Sequence, residues 1–503
     1  MKKYIFLITL LLGSLLNTGC SDWLDVRPQS EIPKDKLFET ENGFRSALTG
    51  AYIRLKSSAL YGGALMWGDI EYMASNWYNT SSSNTTISQL INCNYNDAGV
   101  VGKIDAIYQN LYKVIADVNS ILEVIDSKKD VFSEKGYEMI KGEALTIRAF
   151  CHFDVLRLFG PVPNNVGETL LFPYVTEVTK EIHPAINYQD YSQAIINDLD
   201  AASALLKTFD PIIDYSLSDL RDMDKGDFIT NDNYTGYRNL RMNYYAALAI
   251  KARVYLWLSA SDATNKTKAS ECAQEVIDAK DHTGTPTFRL GVEADRVAGD
   301  YTFSAEHIMA LNVYNLTTIA QNQFGDTGPF VRYDFSITDG YYYLNNLFPV
   351  AERVSDIRWI NMWTYRTASG QTQYVMYKKF IQNVDEYKRI LQVPMLRLSE
   401  MYLILAECAN DKGTAEAIYK TYCDKKGIPF TSFSSSDWLT DRRNKILREY
   451  VREFYGEGQT FFTYKRLNVT SLPAMWTPGI TFSGSAAKYV APKPLREIEY
   501  HNK

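Results

Sequence analysis

Residues 396–425 read LRLSEMYLILAECANDKGTAEAIYKTYCDK. Leu398, Tyr402, Leu405 and Ala406 recur at the three- and four-residue spacing of a helix face. Asp411-Lys412-Gly413 breaks the pattern, and Ala415, Ala417 and Ile418 then begin a second stripe. Two helices that meet through small residues across a short turn form the unit that stacks into tetratricopeptide-like solenoids. Residues 243–280 repeat the arrangement. Ala246, Ala247, Ala252 and Ala273 sit where helices must approach, with Leu248, Tyr255 and Ile277 as packing residues. These two stretches set the class as all-α.

Outward from them, the same periodicity predicts helices over 41–57, 104–125, 135–158, 188–206, 242–260, 267–280, 396–410, 413–425 and 440–456. Gly160-Pro161 stops the third of these with a glycine-then-proline signal. Three stretches lack a helical period: 61–102, the Asp- and Asn-rich 209–240, and 281–393. The first is rich in Trp and Tyr, which argues for an ordered, functional loop rather than a disordered one. The expected architecture is mainly helical, with tetratricopeptide-like helix pairs forming a superhelical scaffold that carries a loop-rich second region.

The chain opens MKKYIFLITLLLGSLLNTGCSDWLD. Lys2 and Lys3 precede an apolar run from Ile5 to Leu16, too short to cross a hydrocarbon core that needs ~20 helical residues. This reads as a cleaved secretory signal. Cys20, directly after Gly19, makes the site resemble a bacterial lipobox, with Asn17 where leucine is usual. Cys20 is therefore the expected lipidation site and mature N-terminus, and two or more acyl chains anchor stably. The division that follows is 1–19 signal peptide, 20–40 lipidated N-terminus and tether, 41–210 N-terminal helical region, 211–280 Asp-rich loop and helix pair, and 281–503 C-terminal region.

Composition narrows the function. With 53 basic and 59 acidic residues the formal charge is −6, and no basic stripe is present, so nucleic acid is not an expected partner. Cys93, Cys151, Cys272, Cys408 and Cys423 lie singly, mostly within apolar helical patterns, and read as buried free thiols rather than a disulfide or zinc framework. The five His form no paired-ligand spacing, and no nucleophile elbow or phosphate loop occurs. His152 and Trp257 read as packing residues. Glu143, Glu407, Glu453 and Glu457 lie on helices beside Arg148, Arg448 or Arg452 and read as ion-paired structural groups. Asp222, Asp224 and Asp227 with Gly226 resemble a calcium loop, but the glycine falls one place early. No enzyme activity, cofactor or metal is expected.

Several separate motifs point to one family. Ser21-Asp22-Trp23-Leu24-Asp25 with Pro28 follows the candidate lipidation site. Tyr108, Tyr112, Ile115 and Asn119 share a helix. Glu143-Ala144, Arg148-Ala149-Phe150, Phe153 and Phe159-Gly160-Pro161-Val162-Pro163 follow, then Tyr191, Ile195, Asp198-Leu199 and Ala201. Near the other end stand Pro394, Arg397-Leu398-Ser399-Glu400, Ala406-Glu407, Arg448-Glu449, Glu453-Phe454, Glu457-Gly458, Lys465-Arg466, Pro494-Leu495 and Glu497-Ile498. Gln459 and Thr463 depart from the pattern, where Arg and Asp are usual. Over essentially its whole length the chain resembles the SusD/RagB nutrient-uptake lipoproteins of the Bacteroidetes. The resemblance implies four tetratricopeptide-like units and a surface-exposed, lipid-anchored protein of the cell outer membrane. It implies a lid on a SusC-type TonB-dependent transporter that captures oligosaccharides, or in some members peptides, without catalysing a reaction.

In such proteins the ligand is met by the loops after the first helix and by the later irregular region. Sugar rings expose apolar C–H faces that stack on indole and phenol rings, while Asn and Asp fix the hydroxyls. The candidate contacts are Trp67, Asp69, Asn76, Trp77 and Tyr78 in the first region, and Trp359 and Trp363 in the second. The last two are four apart and would share a face if that segment is helical. Alternatives are a peptide-binding lid and a scaffold that binds only other proteins.

Overall fold

Side-chain caps start most of the long helices where the apolar stripes begin. Thr40 accepts the amide of Gly43 and opens α1 (Glu41–Leu55). Asp97 does the same for α2 (Ala98–Ile125), six residues ahead of the stripe read from sequence. Then come α3 (Gly136–Phe159), α4 (Tyr188–Phe209, capped by Asn187), α5 (Tyr244–Leu258, capped by Asn243) and α6 (Asn265–Ile277). After a long excursion the chain returns as α7 (Leu398–Cys408), α8 (Lys412–Lys426, capped by Asp411) and α9 (Trp438–Glu453, capped by Asp437). This computed structural model describes residues 33–77, 85–222, 228, 232, 234–325, 328–333, 344, 347–367, 373–381, 390–473 and 481–501. Cys20, Tyr78, Asp224, Gly226 and Asp227 lie outside the described residues.

From α2 onward each helix packs on the next, and α6 packs on α7, so residues 278–397 are an insertion into one continuous superhelix. Small residues permit the close approaches. Ala269 and Ala273 on α6 and Ala406 on α7 are fully buried. At Gly142 on α3 a Cβ would come within 2.6 Å of the Leu206 side chain on α4. Arg148 on α3 clamps Asp198 on α4 through two bonds of 2.7 and 2.6 Å, and reaches Asn119 on α2 at 3.1 Å. One motif arginine thus ties three helices.

The insertion and the C-terminal tail supply the short strands seen among the described residues. β1 (His307–Asn312) pairs antiparallel with β5 (Gln392–Arg397), placing Leu311 opposite Val393 and feeding the chain directly into α7. β2 (Val331–Tyr333), β3 (Trp363–Thr367) and β4 (Gln373–Tyr377) form a sheet of order β2-β4-β3. β6 (Ser471–Pro473) and β7 (Thr481–Ser483) make a hairpin. The fold is therefore mainly helical, with a scaffold of tetratricopeptide-like pairs.

Three sequence expectations are corrected here. The stretch 61–102 is not irregular throughout, since Asp69–Met73 and Thr86–Ile91 are short helices. Trp359 and Trp363 do not share a helix, because Trp363 begins β3. The acidic motif residues are ion-paired, but to other partners. Glu143 binds Arg238 at 2.5 Å, Glu407 binds Arg466 at 2.5 Å, and Glu453 binds Arg397 at 2.5 Å. Neighbours along a helix lost to arginines from distant segments, because burial rewards partners that arrive with several aligned donors.

His152 and Trp257 lie in the core. His152 stacks on Tyr174 at 4.0 Å, and burial lowers its pKa to about 3, so it is neutral. Cys93, Cys151, Cys408 and Cys423 are buried free thiols and Cys272 is half-buried.

Candidate functional site

The two segments expected to carry ligand contacts meet in space. Trp77 is fully buried, and its indole Nε1 donates to the Trp67 carbonyl at 2.7 Å. Its ring lies 5.9 Å from Phe324, 5.4 Å from Phe330 and, edge-on, 5.0 Å from Tyr455. Trp67 packs on Phe380 at 5.2 Å and on Phe324 at 5.9 Å. Trp363 packs on Tyr377 at 4.5 Å and on Tyr455 at 5.1 Å. The structure thus gathers three tryptophans into one aromatic cluster, with Phe324, Tyr377 and Tyr455 as common members.

That gathering changes their role. Trp67, Trp77 and Trp363 are 2, 0 and 4 % exposed, so none presents an open face to a sugar ring. Tilted and edge-on ring pairs at these distances are a packing arrangement. The three tryptophans form the floor of the loop region rather than its stacking surface, a correction to the reading of 67, 77 and 363 as ligand contacts. Asn76 is corrected likewise. It is fully buried, and its Nδ2 donates to Glu71 at 2.7 Å. Asp69 is mostly covered and pairs with Lys103 at 2.8 Å.

Trp359 is different. It is half-buried, with Phe348 at 5.4 Å and the Arg353 guanidinium 4.3 Å above the ring. A partly open indole beside a cation is a suitable surface for a polar ring with apolar faces. Tyr78 follows Trp77 directly in sequence.

Glu71 locks this floor to the C-terminal part of the chain. Its buried carboxylate accepts from the amides of Gly456 and Gly458, each at 3.1 Å, as well as from Asn76. Burial raises its pKa to about 7, against the pull of those donors. Gly458 is required there, because its φ is +72° and a Cβ would fall 1.9 Å from the Leu65 carbonyl oxygen. The sequence reading missed Glu71, Phe324, Phe330, Tyr377, Phe380 and Tyr455. Their only signal was the general aromatic richness, since they come from four separated stretches of chain.

Comparison with known proteins agrees with this architecture. Residues 22–256 match the SusD-like family described as starch-binding and associating with the outer membrane, and residues 331–491 match the SusD family. The chain belongs to the SusD/RagB family. Among relatives, it is 26 % identical to SusD-like protein P38 of Formosa agariphila over 270 residues, 53 % of this chain and 45 % of that one. It is also 26 % identical to SusD-like protein P25 of the same organism over 151 residues, 29 % of this chain and 28 % of that one. The matching region thus spans less than half the length of either relative.

Solved structures share the fold. A SusD superfamily protein from Bacteroides thetaiotaomicron superposes with a TM-score of 0.67 at 19 % identity, covering 92 % of this chain and 98 % of that one. A SusD-like carbohydrate-binding protein from Bacteroides vulgatus gives 0.66 at 17 % identity, covering 92 % and 97 %. No helix among the described residues of this SusD/RagB chain is long and apolar enough to cross a membrane.

Proposed function

We propose that this SusD/RagB chain is a surface-exposed lipoprotein of the cell outer membrane, anchored through Cys20. It captures oligosaccharides and delivers them to a SusC-type TonB-dependent transporter. The observation that carries the reading is the match of residues 22–256 to the starch-binding, outer-membrane-associated family. The meeting of the first loop region with the β3–β4 sheet over a rigid aromatic floor supports it.

Ligand contacts are assigned to Trp359 as the stacking ring, with Asp69 and Tyr78 kept as candidate polar contacts. Two or three stacked rings at ~0.5–1.5 kcal/mol each beyond area burial bring such a site to millimolar or micromolar affinity. Weak capture suits a receptor that passes its cargo on.

Isothermal titration of the mature chain against a panel of glycans and peptides is the test. Heat with a glycan, weakened about tenfold or more in Trp359→Ala, is expected. Heat with peptides alone replaces the cargo class, and flat titrations throughout favour a scaffold for other proteins. Loss of envelope fractionation in Cys20→Ser checks the anchor.

A further inference from the structure

A second concave surface lies along α2, apart from the aromatic floor. It is a cleft of about 630 Å³ between one face of α2, residues 173–183 and the C-terminal helix Leu495–His501. Tyr108 and Tyr112, with ring centroids 4.7 Å apart, line its base, and Ile182, 52 % exposed, lines its side. Leu495, 71 % exposed, adjoins it on the C-terminal helix. Lys113, Lys180 and Arg496 are three cations on the lining against two carboxylates, Glu181 and Glu497, a positive balance on a chain whose overall charge is −6. An apolar base with a cationic rim suits a short segment that is both apolar and acidic.

The chain carries such a segment. Residues 22–26 read Asp-Trp-Leu-Asp-Val, two apolar side chains between two carboxylates and a third directly after them. The first described residues also stand beside the cleft. Lys34 Nζ pairs with Glu123 at 2.7 Å, and Glu123 also accepts the amide of Val178, on the irregular segment that leads to Ile182. Gln109, Lys113, Ala116 and Glu123 follow one stripe of α2 at helical spacing. From Glu123 to Lys113 is ~15 Å of helix axis. The eight residues from Pro33 back to Asp25 span up to ~26 Å. The reach is sufficient with slack.

We propose that this cleft is the docking site of the chain's own N-terminal segment, Asp22–Val26. Trp23 and Leu24 cover the Tyr108–Tyr112 base, and Asp22 and Asp25 face Lys113, Lys180 and Arg496. The docking itself does not depend on lipidation. Where the proposed anchoring at Cys20 also holds, docking shortens the free tether to about two residues and turns the α2 face toward the membrane.

The test uses the whole mature chain with Cys20→Ser, so failure of lipidation leaves it unaffected. Leu24→Cys is paired with Ala116→Cys in the cleft or, as a control, with Lys420→Cys on the distant α8, and disulfides are mapped by mass spectrometry after mild oxidation. At least tenfold more of the 24–116 bond than of the 24–420 bond is expected. Independently, Trp23→Ser with Leu24→Ser should speed hydrogen exchange at 180–183 about tenfold while leaving α5 unchanged. Equal crosslinking in the two pairs, or unchanged exchange at 180–183, overturns the proposal. An external occupant of the cleft gives that same result.

Discussion

Replacing Arg397 by Met tests the buried charge network that holds the insertion to the C-terminal helices. Arg397 donates to Glu457 at 2.9 Å, Glu306 at 3.1 Å, Glu453 at 2.5 Å and the Glu453 carbonyl at 2.7 Å. Lys426 binds Glu306 and Glu453, Lys379 binds Glu457, and Arg358 also reaches Glu453, so four cations surround these three carboxylates, all buried. Met fills much of the volume but removes the one guanidinium that donates to all three carboxylates. Removing one partner of a buried ion pair costs about 3–5 kcal/mol, because the remaining charge cannot be solvated.

The pH dependence identifies that cause. Burial alone would raise the Glu453 carboxyl, but Lys426, Arg397 and Arg358 outweigh it and hold it well below the usual carboxylate range. In the wild type this contribution is fully present above the unfolded pKa of ~4.3 and is lost only as pH falls further. In Arg397→Met the uncompensated carboxylate moves up instead, so taking a proton relieves the variant. Urea unfolding followed by circular dichroism at pH 8 and pH 5 should show the gap between wild type and variant shrinking at the lower pH. Arg397→Lys should recover part of the loss. A loss below about 1 kcal/mol, or a gap independent of pH, refutes the reasoning.

Trp77→Ala should cost about 3–5 kcal/mol of stability, since it empties the centre of the aromatic floor and strips the Trp67 carbonyl of its donor. Thermal unfolding of Trp77→Ala checks this, and an unchanged midpoint would return Trp77 to the list of exposed contacts. Burial holds the folded pKa of Glu71 at about 7, above the ordinary 4.5, so its contribution is fully present below pH 4.5 and is lost as pH rises from there through 7. Wild type should therefore lose up to about 3 kcal/mol more between pH 5 and pH 8 than Glu71→Gln, measured by the same urea titration. Gly458→Ala should cost at least about 2 kcal/mol through its left-handed φ and the meeting with the Leu65 carbonyl, read as a lowered urea midpoint.

The sequence alone was enough to establish the helices, the solenoid class and the family, because these rest on local periodicity, caps and short motifs. The predicted spans of α1, α3, α4 and α5 lie within a few residues of those observed. Which acid meets which base, and which tryptophan faces solvent, was decided only by the tertiary structure. Those outcomes depend on contacts between residues hundreds of positions apart, such as Trp77 on Tyr455 or Glu71 on Gly458. An indole in a loop has the same chemistry whether it ends as a surface or as a floor. Only the arrival of Phe324, Tyr377 and Tyr455 from elsewhere in the chain buried Trp77, while Trp359, with Phe348 on one side and Arg353 above it, stayed partly open.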